Sequence, residues 1–77
     1  MGELTDRERE ILMIMLRDGL TLDRATPGGW WLGNYQVSGK VGFSLWRKMM
    51  IAVENAKGST DVIEHFRITS NGVKAVE

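Results

Sequence analysis

The stretch that decides the fold runs Val41-Gly42-Phe43-Ser44-Leu45-Trp46-Arg47-Lys48-Met49-Met50-Ile51-Ala52-Val53-Glu54 and continues, past a polar run, to Gly72. Its first half has helical periodicity: Val41, Leu45 and Met49 fall on one stripe flanked by Trp46 and Met50, and Lys40, Ser44, Arg47 and Lys48 share the opposite arc. The spacing predicts a helix from Ser38 or Gly39 to about Met50. Gly42 costs such a helix up to about 1 kcal/mol relative to alanine, so packing must fix it in place or bring backbone close to something. Residues 50–54 and 62–69 read as two strands around the polar run Asn55-Ala56-Lys57-Gly58-Ser59-Thr60-Asp61. In the second strand both parities carry apolar residues, which leaves its inward face open. Thr69 can cap a short last turn or helix, with Val73 and Val76 as its apolar contacts.

Toward the N-terminus, Thr5-Asp6-Arg7-Glu8 has the form of a capping box. Leu4, Ile11, Leu12, Met15 and Leu16 then recur on one helical face, and Gly19 suits a left-handed helix end. A helix over 6–18 follows. Met13 points away from that face, either as an isolated surface residue or as a partner contact. Residues 20–37 read as a β-hairpin: Leu20 to Leu22 begin a strand, Thr26-Pro27-Gly28-Gly29 supplies the turn, and the aromatic-rich run 30–37 returns. Adjacent Trp30 and Trp31 must face opposite sides of a strand, so one can be core and the other lies at a rim or surface.

Composition bounds the answer. The chain has 77 residues, enough for one core, so residues 1–77 are expected to form a single domain. Ten basic residues balance ten acidic ones, so only the distribution of charge is informative. Residues 1–20 carry a net charge of −2 and residues 40–57 a net charge of +3. Cysteine is absent, which excludes disulfides and thiolate metal sites. The acidic N-terminus does not suit a signal peptide, and the longest apolar run, 11–16, is far short of the roughly 20 residues that span a bilayer. A cytoplasmic location without membrane contact is the expectation.

The order helix, hairpin, helix, strand, loop, strand, tail, with the close Phe66-Arg67-Ile68-Thr69-Ser70-Asn71-Gly72, resembles small winged-helix regulators. The opening Leu4-Thr5-x-x-Glu8-x-x-Ile11-Leu12 resembles their first helix. The resemblance implies an α+β winged-helix-like domain: a helix, a β-hairpin, a helix, a two-stranded wing and a short C-terminal turn or helix. It also implies a small DNA-binding, transcription-regulating or accessory protein, and the small size and neutral charge suit one of bacterial or phage-like kind. One departure stands out. Residues 25–36 contain Pro27, three glycines and two tryptophans, so a hairpin replaces the helix that precedes the recognition helix in a helix-turn-helix.

The candidate contacts to double-stranded DNA are Lys40, Ser44, Arg47 and Lys48 on the helix, with Asn55 and Lys57 on the wing. The alternative is a protein-interaction module, or a homodimer, that grips a partner through Trp30, Trp31, Tyr35 and Met13. The three aromatics also suit base stacking, or simple core packing. His65 has no cysteine or histidine companion, so no metal site is expected, and nothing at suggestive spacing offers the nucleophile or pocket that a general base needs. Gly28-Gly29 and Gly39-x-x-Gly42 lack the lysine and hydroxyl residue of a phosphate-binding loop. No enzyme activity and no cofactor are expected.

Overall fold

The computed structural model describes residues 4–25, 28–54 and 63–77. Its elements, in chain order, are α1 (Asp6–Asp18), β1 (Leu22–Ala25), β2 (Gly29–Leu32), β3 (Tyr35–Val37), α2 (Gly39–Arg47), β4 (Ile51–Glu54), β5 (Ile63–Ile68) and α3 (Ser70–Val76). The class is α+β: the described residues form three helices and one five-stranded antiparallel sheet in the order β3-β2-β1-β5-β4.

The capping box at the start of α1 is formed in full. The Glu8 amide donates to Thr5 Oγ1 at 3.1 Å, and the Thr5 amide donates to Glu8 Oε1 at 2.8 Å. Gly19 ends the helix in the left-handed region at φ 66°. Ile11, Leu12 and Met15 are buried as their spacing predicts, whereas Leu16, expected on the same face, is exposed.

The segment expected to be one hairpin is three strands. A second turn at Gly33-Asn34 folds β3 back on β2 with Leu32 opposite Tyr35, and Gly33 takes a positive φ of 60°. Glycine at the first of two turn residues supplies the handedness that a tight hairpin requires. The single strand read across 30–37 passed over this two-residue break. Of the first turn, Thr26 and Pro27 lie outside the described residues.

Cross-strand register assigns the two faces of the sheet. Tyr35, Leu32, Leu22, Phe66 and Val53 form one row, and Trp30, Val37, Ile51 and Ile68 share their side through strand alternation. On this side Leu22, Trp30, Leu32, Val37, Ile51 and Phe66 are buried with Ile11, Leu12, Met15 and Leu45 in one core. The inward parity of β5 is therefore that of Phe66. α1 and α3 pack against β5, and α2 packs against β2 and β4. The opposite face, with Gln36, Trp31, Asp23, His65 and Glu54 in one row, carries no helix among the described residues.

Gly42 has a packing reason. A Cβ there would stand 2.3 to 2.7 Å from three ring carbons of Trp30, so the indole occupies the space that any side chain at position 42 would need. Trp30 is thus the core member of the tryptophan pair. Its ring also meets Phe66 at 5.0 Å and Phe43 at 5.4 Å between centroids.

α2 is shorter than its apolar pattern predicts. After Arg47 the Met50 amide bonds the Leu45 carbonyl and the Met49 amide bonds that of Trp46, both at 3.0 Å. That pairing is a Schellman termination, and it places Met49 at φ 61° in a position usually held by glycine. Met49 is 66% exposed, not part of the buried stripe. The Thr69 hydroxyl donates to the Met49 carbonyl at 2.7 Å and accepts from the Gly72 amide at 3.1 Å. One side chain thus both caps α3 and ties down the turn after α2. Because Met49 buries little and holds a left-handed backbone, Met49→Gly is expected to raise stability by about 0.5–1 kcal/mol in urea denaturation, net of glycine's added unfolded-state entropy.

Candidate nucleic-acid interface

α2 contains no aspartate or glutamate and is fixed on two flanks. One flank, Gly42 and Leu45, lies on the core. The other turns to α1. Lys48 Nζ lies 2.9 and 3.2 Å from the two carboxylate oxygens of Glu8, and the Ser44 hydroxyl donates to the same carboxylate. The expectation that Ser44 and Lys48 share a solvent-facing arc with Lys40 and Arg47 is therefore corrected. A buried acid on the neighbouring helix recruits both, because an ionised carboxylate without partners in the interior costs several kcal/mol.

Glu8 is only 2% exposed. Burial alone would raise its pKa; hydrogen bonds from Ser44 and the Thr5 amide, and the bond and charge of Lys48, outweigh it and bring the value down from 4.5 to about 2. A carboxylate whose folded pKa is depressed stabilises the fold above its unfolded pKa and loses that contribution as pH falls through the folded value. The fold is expected to weaken between about pH 4.5 and pH 2, by roughly 3 kcal/mol from this group. Urea midpoints for the protein and for Glu8→Gln, measured across that interval, should converge toward its acid end.

Beside Trp46, itself 37% exposed, the side chains outward on α2 are Lys40, Phe43 and Arg47. They are spaced i, i+3, i+7, all exposed, and they lie on one arc over two turns. Phe43 is 40% exposed, its ring stacked near Trp46 with centroids 6.1 Å apart. The Arg24 guanidinium sits 5.1 Å from the Phe43 centroid and pairs with Glu64 at 3.5 Å. Lys40 and Arg47 thus flank a half-exposed aromatic ring with a third cation beside it. Asn55 and Lys57 lie outside the described residues, in the connection between β4 and β5.

The other candidates separate. Trp30 is buried, Trp31 lies on the helix-free face of the sheet, and Tyr35 projects from the edge of the helix-bearing side. The three aromatics therefore make no common platform. Trp31 is half-buried and donates its indole N–H to the Gly28 carbonyl at 2.9 Å. Tyr35 is 74% exposed and Met13 is 51% exposed. His65 Nδ1 lies 2.7 Å from Asp23 Oδ1, which also accepts the Thr21 hydroxyl at 2.7 Å. Among the described residues no group of three or more His, Asp or Glu side chains could hold a metal ion, and no helix is long and apolar enough to cross a membrane.

Sequence reasoning overlooked Phe43, whose spacing from Lys40 and Arg47 was the available signal, and Arg24, which strand pairing alone brings near. It also read Glu8 as a capping residue only. No known family model matches the chain, and neither a curated protein nor a solved structure does.

Proposed function

We propose that this protein binds double-stranded DNA through the outward face of α2, as a small winged-helix-like regulator. The observation that carries the reading is the arc of Lys40, Phe43 and Arg47 on a helix free of carboxylates. A nine-residue helix is about 13 Å long, enough to lay two turns in the roughly 12 Å width of the major groove. There Lys40 and Arg47 meet phosphates or guanine edges on either side of Phe43, and the ring offers apolar contact to a thymine methyl. The run from α2 into the antiparallel pair β4 and β5 supports the winged-helix reading, with Asn55 and Lys57, which follow β4 in sequence, as further phosphate contacts. The strands β1, β2 and β3, standing where a helix-turn-helix has its leading helix, give α2 a different seat and set its approach to the duplex.

With a net charge of zero, affinity rests on this local cluster and falls steeply with salt. The test is anisotropy of a labelled random-sequence duplex across roughly 50 to 200 mM salt. Lys40→Ala/Arg47→Ala is expected to lower the slope of log affinity against log salt by about two. If the folded wild type binds no duplex at the low-salt end, the reading fails.

A further inference from the structure

We propose that α1 is a self-association face, pairing antiparallel with α1 of a second copy about a two-fold axis beside Met13 and Ile14. Asp6, Glu10, Met13, the half-buried Ile14 and Arg17 follow at helical spacing and line one shallow depression on the outer side of α1, with Asp6 at the end that reaches past the partner helix. Glu10 and Arg17 lie at the centre of this stripe, with Met13 on one flank and Ile14 on the other. The acid sits toward the N-terminal end, the base toward the C-terminal end, and the apolar pair between them.

A face of this kind is complementary to itself when inverted. A two-fold midway between positions 13 and 14 sets Glu10 of each copy opposite Arg17 of the other and brings the apolar residues together at the axis. Neither charge is committed elsewhere by burial. Arg7 pairs with Glu10 and Arg17 with Asp18, but all four side chains are largely solvated, and such pairs contribute little and exchange readily. Below the stripe, on the Ile14 side, α1 and the β2–β3 turn enclose an open groove of about 660 Å³. Its lining includes Ile11, Ile14, Leu20, Leu32 and Tyr35, so pairing at the stripe extends over Tyr35, the most exposed large hydrophobic side chain described. The surface of a three-turn helix is smaller than the roughly 1,000 Å² of a permanent interface, so association is reversible and depends on concentration and salt. It uses no residue of the proposed α2 interface and stands or falls separately from it.

Sedimentation equilibrium provides the test. The wild type is expected to show a monomer–dimer equilibrium. Glu10→Arg and Arg17→Glu are each expected to weaken it at least tenfold, because like charges then face each other twice across the axis. An equimolar mixture of the two variants is expected to recover the wild-type dimer fraction, as a heterodimer in which both opposite-charge pairs are restored. Both substitutions are at solvated positions, and circular dichroism checks that each variant is folded. A wild type that remains monomeric up to about 1 mM, a single variant that associates as the wild type does, or a mixture no more dimeric than its components overturns the proposal.

Discussion

Replacing Lys48 by alanine is expected to lower the stability of the fold by about 3 kcal/mol, far more than the loss of an ordinary surface cation. The side chain crosses from the end of α2 to Glu8, the one buried charged side chain among the described residues, and is itself only 22% exposed. Without the ammonium the carboxylate keeps the Ser44 hydroxyl and the Thr5 amide but loses its countercharge. The loss lies at the lower end for a broken buried pair because Lys48 retains some water. Urea denaturation of Lys48→Ala gives the loss directly. Lys48→Met with Glu8→Gln should recover much of it, since removing both charges leaves no unpaired ion. A Lys48→Ala change within about 0.5 kcal/mol of wild type would mean that the pair is no more than a surface contact.

The second large effect is expected at Gly42. Helix propensity alone predicts that Gly42→Ala stabilises α2 by up to about 1 kcal/mol. Packing predicts the reverse, because the new methyl would stand 2.3 Å from a Trp30 ring carbon. The indole is locked between α2, Phe43 and Phe66, so it has no space into which to retreat. Overpacking of this kind costs about 1–3 kcal/mol, and the net effect is expected to be destabilising by about 1–2 kcal/mol. Thermal or urea unfolding measures it. Combining Gly42→Ala with Trp30→Phe should cost less than the sum of the two, because the smaller ring frees the space the methyl needs. Strict additivity would show that the contact does not govern the choice of glycine.

These two sites also mark how far sequence reasoning carries. The elements that depend on neighbouring residues were legible: the Thr5–Glu8 cap, the Gly19 stop, the Thr69 cap and the helical stripe through Leu45 follow from local hydrogen bonding and periodicity. Non-local partnerships were not. Glu8 and Lys48 are forty positions apart, and only the crossing of α1 and α2 turns a capping acid into the counterion of a candidate DNA contact. Gly42 announced that something came close, but strand pairing was needed to show that it was Trp30. The Gly33-Asn34 turn failed for a different reason: the aromatic run on either side of it has the composition of a continuous strand. At the candidate site, Lys40 and Arg47 were legible as outward cations. Phe43 between them carries no charge to mark it as outward, and the place of Ser44 depends on a partner that lies on another helix.

The most direct test of the central proposal is a titration of the isotopically labelled protein with a short DNA duplex at low salt, followed through backbone amide shifts. The proposed mode predicts that the largest changes fall along α2, at Lys40, Phe43 and Arg47, while Trp31 and His65 on the helix-free face of the sheet stay in place. Shifts concentrated on that sheet face, or none anywhere in a folded protein, would contradict it.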